Sequence, residues 1–261
     1  MKRIYLIYAV LFTVIFQFTS CLNNDERKPV YFFYDEPVVV NQTGVYPFIR
    51  NDSYSFYVPE LAEDTTLKVG DLLWSSFIVD LDDKDYPSVL STFNYTAKNF
   101  KYQSVDNSKV IIPANVEEFT TFLSDDYTEP VELSVLYRYA IDSLWFLGFK
   151  HKDNSNQLHY IYELILNPEI ENNNNNYPTF YIRSKQVNST TANQAKDEFG
   201  RNIFAFDLAD FVNYYQNDIS SNGLVRFNLK YKTGENEEGE DVYKEFISNP
   251  IAWNFNSAKP K

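Results

Sequence analysis

The sequence predicts a mainly β protein built in two halves. Three observations carry that expectation. The first is composition: 22 Phe, 21 Tyr and 3 Trp stand against 7 Gly and 1 Met, and aromatic side chains favour the pleated, half-buried surface of a strand. The second is periodicity, because most apolar residues fall in short alternating runs bounded by turn residues. The third is length. Beyond the first 20 residues 241 remain, and domains commonly run to about 100–150 residues, so two are expected. A single cysteine rules out a disulfide framework, and stability has to come from the aromatic core.

Lys2 and Arg3 precede an apolar run over residues 4–16. At 13 residues the run is shorter than the roughly 20 that a helix needs to cross a bilayer. It fits the apolar part of a secretory signal. Small residues Thr19 and Ser20 then lead into Cys21. Phe18-Thr19-Ser20-Cys21 resembles the lipobox of bacterial lipoproteins, which implies cleavage before Cys21 and a diacylglyceryl group on its thiol. Two or more acyl chains hold a protein stably, at about 0.8 kcal/mol per buried CH₂. The expected partner is therefore a membrane, reached through a lipid anchor at Cys21. Residue 22 is Leu rather than the Asp that resembles an inner-membrane retention signal. An outer-membrane lipoprotein is expected, on the periplasmic or the cell-surface side. Residues 1–20 read as the lipoprotein signal peptide and 21–35 as a tether. Tyr31-Phe32-Phe33-Tyr34 either packs onto the first module or meets the membrane. Asp35-Glu36-Pro37 is expected to break the chain before a strand begins at Val38.

Residues 36–128 read as strand and turn. Gly44 and Asn51-Asp52 are turn signals, and residues 54–58 are extended. The strongest strand covers residues 71–81. Leu73, Phe77, Val79 and Leu81 line one face, and Leu72, Trp74 and Ile78 the other, as in a strand covered on both sides. Several short strands without a long helix suggest a small OB-like barrel. Barrels of that kind that bind single-stranded nucleic acid use a basic, aromatic groove. Here residues 36–128 hold 15 acids and 6 bases, and the whole chain carries −13, or −15 without Lys2 and Arg3. Such a surface repels phosphate backbones, so no nucleic acid partner is expected. Asn115 and Glu118 form a capping-box pattern that opens a short linker helix, with Phe119, Phe122 and Leu123 on one face.

Residues 129–249 are strand-rich again. Strands are expected over 131–139, 143–150 and 158–166, with residues 151–157 turning the last two into a hairpin. A low-complexity loop at 172–176 precedes a strand over 179–187. Asp207 is placed to cap one short helix carrying Leu208, Phe211, Val212 and Tyr215. Residues 224–232 and 241–247 are closing strands. This pattern suggests a β-sandwich, followed by a C-terminal tail over 250–261. The expected fold is thus mainly β, an N-terminal OB-like small barrel followed by a C-terminal β-sandwich with one short helix.

The order of features is itself informative. A lipobox is followed by Val69-Gly70-Asp71-Leu72-Leu73, then Pro130-Val131, then the hairpin expected from Ser143 to Leu166. Tyr181-Ile182-Arg183 lies in a strand, and Phe206-Asp207-Leu208 precedes the helix. This order resembles the NigD-like lipoproteins of Bacteroidetes, with their N-terminal OB domain and C-terminal β-sandwich. Leu72-Leu73 and Ser184-Lys185 depart from the residues common in that family. That family has no established enzymatic activity, and the resemblance implies at most a bacteriocin-immunity or envelope role.

Candidate chemistry is sparse. His151 and His159 are the only histidines, set on the arms of the expected hairpin with Glu163 on the His159 face. A zinc site needs three or four ligands, and no third converges. Asp80, Asp82, Asp83 and Asp85 lack the Gly and closing Glu of a calcium loop. No Gly-x-Ser-x-Gly elbow is present, and among so many acids no carboxylate pair is singled out. Asp64-Thr65-Thr66 and Asp142-Ser143-Leu144 resemble a Bacteroidetes O-glycosylation motif. The expectation is no catalytic residue, no metal and no cofactor, with lipid attachment at Cys21 the one assigned site. The function expected is a lipid-anchored, non-enzymatic envelope binding or accessory protein, its protein or glycan partner unspecified. One alternative is bacteriocin immunity. Another is a surface glycan-binding or glycan-active protein, which exposed coplanar rings at Trp74, Trp145 or Trp253 would favour.

Overall fold

The computed structural model describes residues 29–81, 95–123, 129–135, 140–151, 159–169, 177–187, 194–197, 199–214, 224–225, 227–247 and 251–252. Residues 1–28, which include Cys21 and the stretch expected to be a signal peptide, residues 82–85, residues 172–176 and Trp253 lie outside the described residues.

Strands β1 (Val30–Gln42), β2 (Phe48–Arg50), β3 (Ser55–Tyr57), β4 (Leu72–Asp80) and β5 (Tyr95–Ser104) close a barrel in the order β1-β2-β3-β5-β4. Only the β3–β5 pair in it is parallel. Val38, Val40, Ile49, Phe56, Leu73 and Phe77 fill its interior. This is the small OB-like barrel that the short alternating runs predict.

One expectation fails at its start. Asp35-Glu36-Pro37 does not break the chain, and residues 30–35, expected in the tether, are the first half of β1. Phe33 and Val38 both contribute to the barrel core, yet five positions apart they would face opposite sides of a regular strand. The chain solves this with a bulge. Phe33 pairs with Phe77 and Glu36 with Ser75, so Tyr34 and Asp35 together oppose Ser76. The extra residue restores the phase. Asp35 takes a φ of 53°, a left-handed conformation that Asp tolerates better than most residues. Its carboxylate accepts from Trp74 Nε1 at 3.0 Å, which fixes the kink.

The second half holds two four-stranded sheets. One has the order β6-β11-β8-β7, from β6 (Asp106–Lys109), β7 (Glu132–Val135), β8 (Leu144–Lys150) and β11 (Asn202–Asp207). The other has the order β14-β13-β10-β9, from β9 (His159–Leu166), β10 (Thr179–Val187), β13 (Asn228–Glu235) and β14 (Asp241–Ile247). Between them lie Trp145, Leu147, Phe149, Tyr162, Leu164, Phe180, Phe204, Phe206 and Phe227. The sandwich is as expected, but two connections inside it are not. β8 and β9 form no hairpin: β8 pairs with β7 and β11, whereas β9 pairs with β10 in the opposite sheet. Residues 224–232 are likewise not one strand. β12 (Leu224–Val225) pairs with β15 (Ile251–Ala252), and β13 starts afresh at Asn228.

Two short helices join these layers. Helix α1 (Val116–Leu123) has the Asn115 cap its sequence predicts, with the return bond from Glu118 moved one residue outward to Ala114. Asn115 Oδ1 accepts from the Glu118 N–H at 2.9 Å, and Glu118 Oε2 accepts from the Ala114 N–H at 2.7 Å. Helix α2 (Ala209–Tyr214) follows Asp207, whose Oδ1 accepts from the Ala209 N–H at 3.0 Å. No described helix is long and apolar enough to cross a membrane.

A third core lies between barrel and sandwich. Val39, Leu72 and Trp74 on the outer face of the barrel meet Ile141, Phe146, Ile203 and Ala205 on the outer face of the β6-β11-β8-β7 sheet. That contact explains why β4 is apolar on both sides.

Candidate functional site

Residues 129–131 run as a strap from one sandwich sheet to the other. The Glu129 N–H donates to the Ser184 carbonyl and the Val131 N–H to the Lys232 carbonyl, both at 2.9 Å. Ser184 Oγ donates back to the Glu129 carbonyl at 2.7 Å. Past the strap the chain enters β7, where Glu132 sits opposite Lys150. On the facing sheet Tyr231 sits opposite Lys244. These residues line a cleft of about 490 Å³ together with His151 and Thr233. Its volume lies within the range of about 300–1,000 Å³ typical of small-ligand sites.

The wall of the cleft is a fixed polar chain. His151 is buried and its ring lies parallel to that of Tyr160, with centroids 3.5 Å apart. His151 Nε2 meets Tyr162 Oη at 2.9 Å, and Asn202 Nδ2 donates to the same oxygen at 3.1 Å. His151 also hydrogen-bonds the backbone of Pro130. Proline has no N–H, so that contact is to its carbonyl and the ring nitrogen involved carries the proton. Nε2 is then the bare nitrogen and accepts from the Tyr162 hydroxyl. Burial holds the His151 pKa down at about 4 against its usual 6.5, although the Pro130 bond opposes the shift. Burial pushes the Tyr162 hydroxyl well above its usual value.

A general acid or base works best with a pKa near the working pH. His151 is far below it, and both its nitrogens are occupied. Its role is to hold the strap against the sandwich. What faces the open space is different. Burial and the nearby Glu132 carboxylate raise the Tyr231 pKa, so its hydroxyl stays a donor. Lys150 and Lys244 are exposed, and neither forms an ion pair among the described residues. The cleft therefore offers ammonium groups, a phenol, a hydroxyl and one carboxylate to a ligand. Lys232, beside it, is committed elsewhere. Burial lowers its pKa, but bonds to Asp241 at 2.5 Å and Glu235 at 3.1 Å outweigh that, and the net shift is upward.

The residues singled out in the sequence are scattered over the fold. His151 and His159 do not share a site: His159 Nε2 lies 3.2 Å from Asp106 Oδ2. Glu163 accepts from Arg183 Nε at 2.6 Å instead of facing a histidine ligand. No group of three or more His, Cys, Asp or Glu side chains that could hold a metal is found among the described residues. Trp74 and Trp145 are buried and offer no platform for a sugar. Asp142 takes a φ of 54° in a tight turn and pairs with Arg50 across the barrel–sandwich boundary. Asp64 accepts from Thr66 Oγ1 at 2.6 Å in an exposed loop. Glu132, Lys150, Tyr231 and Lys244 were not legible as a set. They come from four strands, and only the strand pairing brings them together.

No protein-family model matches the chain, and no curated protein matches it. Its likenesses are to solved structures. A candidate lipoprotein from Bacteroides fragilis is 11% identical, with 84% of this chain and 97% of that one covered and a TM-score of 0.49. A protein of unknown function from Bacteroides vulgatus is 15% identical over 89% of this chain and 95% of its own, with a TM-score of 0.47. An uncharacterised protein from Parabacteroides merdae is 14% identical over 82% of this chain and 96% of its own, with a TM-score of 0.55. At that identity the similarity to the Parabacteroides protein is one of fold.

Proposed function

We propose that the protein is a lipid-anchored protein of the outer membrane that binds a partner rather than transforming one. The observation that carries this is the single cysteine, placed directly after Thr19 and Ser20 and shortly beyond the 13-residue apolar run at 4–16. An acidic body of net charge −15 without Lys2 and Arg3 has no electrostatic route to an anionic bilayer, so the acyl chains supply the attachment. A NigD-like reading is supported by the succession of barrel and sandwich. In that reading a barrel module runs to residue 128 and a sandwich module spans 129–249, with β6 lent by the first to a sheet of the second. The cleft under the strap is the place for a ligand.

Acyl labelling of wild type and Cys21→Ala, followed by membrane fractionation, tests the anchor. Wild type should take up label and sediment with membranes, and Cys21→Ala should do neither. Equal labelling of the two would end the reading.

A further inference from the structure

Among the described residues most aromatic side chains are buried or half-buried, but three close together on one strand are exposed. Tyr31, Phe32 and Tyr34 are 49%, 57% and 73% exposed. Phe33 alone turns inward, stacked on Phe77 with ring centroids 4.7 Å apart. Phe32 and Tyr34 share the outer face, their rings 6.2 Å apart and 4° from parallel. Val30 beside them is also exposed. Single exposed apolar residues need no explanation; a contiguous patch marks an interaction surface.

We propose that this patch is a membrane-contact surface, and that it seats the barrel against the bilayer that holds the anchor. The inference rests on the lipid-anchor reading and adds the orientation of the body. Three observations choose a lipid surface over other occupants. The first is reach. Eight residues separate Cys21 from Val30, and even fully extended that chain spans only about 30 Å. The patch is therefore held at high effective concentration beside the bilayer, where a weak contact suffices. The second is charge. The body is strongly acidic, but Val30 to Tyr34 carries no charged residue, so this stretch can approach lipid headgroups without repulsion. The third is chemistry. Tyrosine rings, apolar in body and polar at the tip, concentrate at the level of lipid headgroups, and Tyr34, which shares the outer face with Val30 and Phe32, is the most exposed of these rings. The bulge at Asp35 sets the arrangement: Phe33 and Val38 both reach the barrel core while Phe32 and Tyr34 stay outside.

The test uses the full lipidated protein reconstituted in phosphatidylcholine vesicles, some carrying brominated acyl chains that quench tryptophan on contact. Phe32→Trp places a reporter in the patch, and Val242→Trp places one on the exposed face of β14. The wild-type signal from the native tryptophans is subtracted. Bromolipid should quench Phe32→Trp at least about twofold more than Val242→Trp. Tyr34→Trp gives the same reading should Phe32→Trp misfold. Equal quenching in protein that floats with the vesicles overturns the membrane contact and leaves the anchor standing. Protein that does not float overturns both. A soluble Cys21→Ala form that sediments as a dimer, with Tyr34→Ser abolishing the dimer, would assign the patch to a second copy of the chain and overturn the proposal.

Discussion

His151 shows how a residue that looks like chemistry in the sequence becomes architecture in the fold. Its ring bridges the Pro130 carbonyl and the Tyr162 hydroxyl, and a bridge of that polarity requires the neutral imidazole. Its folded pKa, about 4, lies below its unfolded value near 6.5. The unfolded chain therefore takes up the proton first. The stability this group contributes is fully present above pH 6.5 and is lost as pH falls toward 4, by at most about 3 kcal/mol. Glu36 works in the opposite sense. Burial raises its pKa, partly offset by the bond from Asn51, so its contribution is present at low pH and is lost as pH rises. Comparison with a variant separates the two. At pH 7.5 His151→Gln should be less stable by about 1–3 kcal/mol, because the Tyr162 hydroxyl and the Pro130 carbonyl lose their partner. The gap should narrow steadily on going to pH 4.5, since only wild type bears the proton-linked loss. Urea midpoints across that range measure it, and a gap of constant size would show that His151 is not held neutral.

Among the elements, helix α1 is the most local construction and was the easiest to foresee. Its box spans four residues, Asn115 to Glu118, and each bond it makes is within that reach or one residue outside it. Its far end is held less locally. Phe119 meets Tyr181 edge to face at 5.2 Å, and Arg183 Nη1 donates to the Phe122 carbonyl at 2.5 Å, which satisfies one of the carbonyls a helix leaves free at its C-terminus. Asn115→Ala should cost about 1 kcal/mol with the urea m-value unchanged. No loss would mean that tertiary packing alone holds α1 in place. The partition of β8 and β9 was illegible for the complementary reason. Both alternate, both carry aromatics, and the turn between them reads as polar. A strand's own sequence says which face is apolar, but not which sheet it joins. That choice is set by β11, which takes β8 as its partner, and by β10, which takes β9; these lie far along the chain. The bulge in β1 was hidden in the same way. Asp35-Glu36-Pro37 carries the composition of a break, and only the need to bury Phe33 and Val38 on one side turns it into a kink. The cleft inherits both difficulties, because its lining is drawn from β7, β8, β13 and β14.

At the scale of the whole molecule the decisive feature is the third core. Had barrel and sandwich merely been strung together, Leu72 and Trp74 would face water, and each unit would unfold on its own. Instead Trp74 packs among Val39, Leu72, Phe146 and Ile203 while its indole N–H holds Asp35 at the bulge. One side chain thus supports both the docking of the sandwich and the shape of β1. Hydrogen bonds continue the contact at its edge: Gln103 Nε2 donates to the Lys196 carbonyl at 2.9 Å, and the Lys196 N–H donates back to Gln103 Oε1 at 3.1 Å. Coupling of this kind predicts a single thermal transition for wild type, with calorimetric and van 't Hoff enthalpies in agreement. Trp74→Ala should remove about 3–5 kcal/mol and separate the melt into two steps, the barrel going first because it loses its docking surface and the anchor of its bulge together. Calorimetry of the two proteins decides the matter. If Trp74→Ala still unfolds in one step at the wild-type temperature, the shared core does not couple the halves, and the barrel keeps its shape without the sandwich behind it.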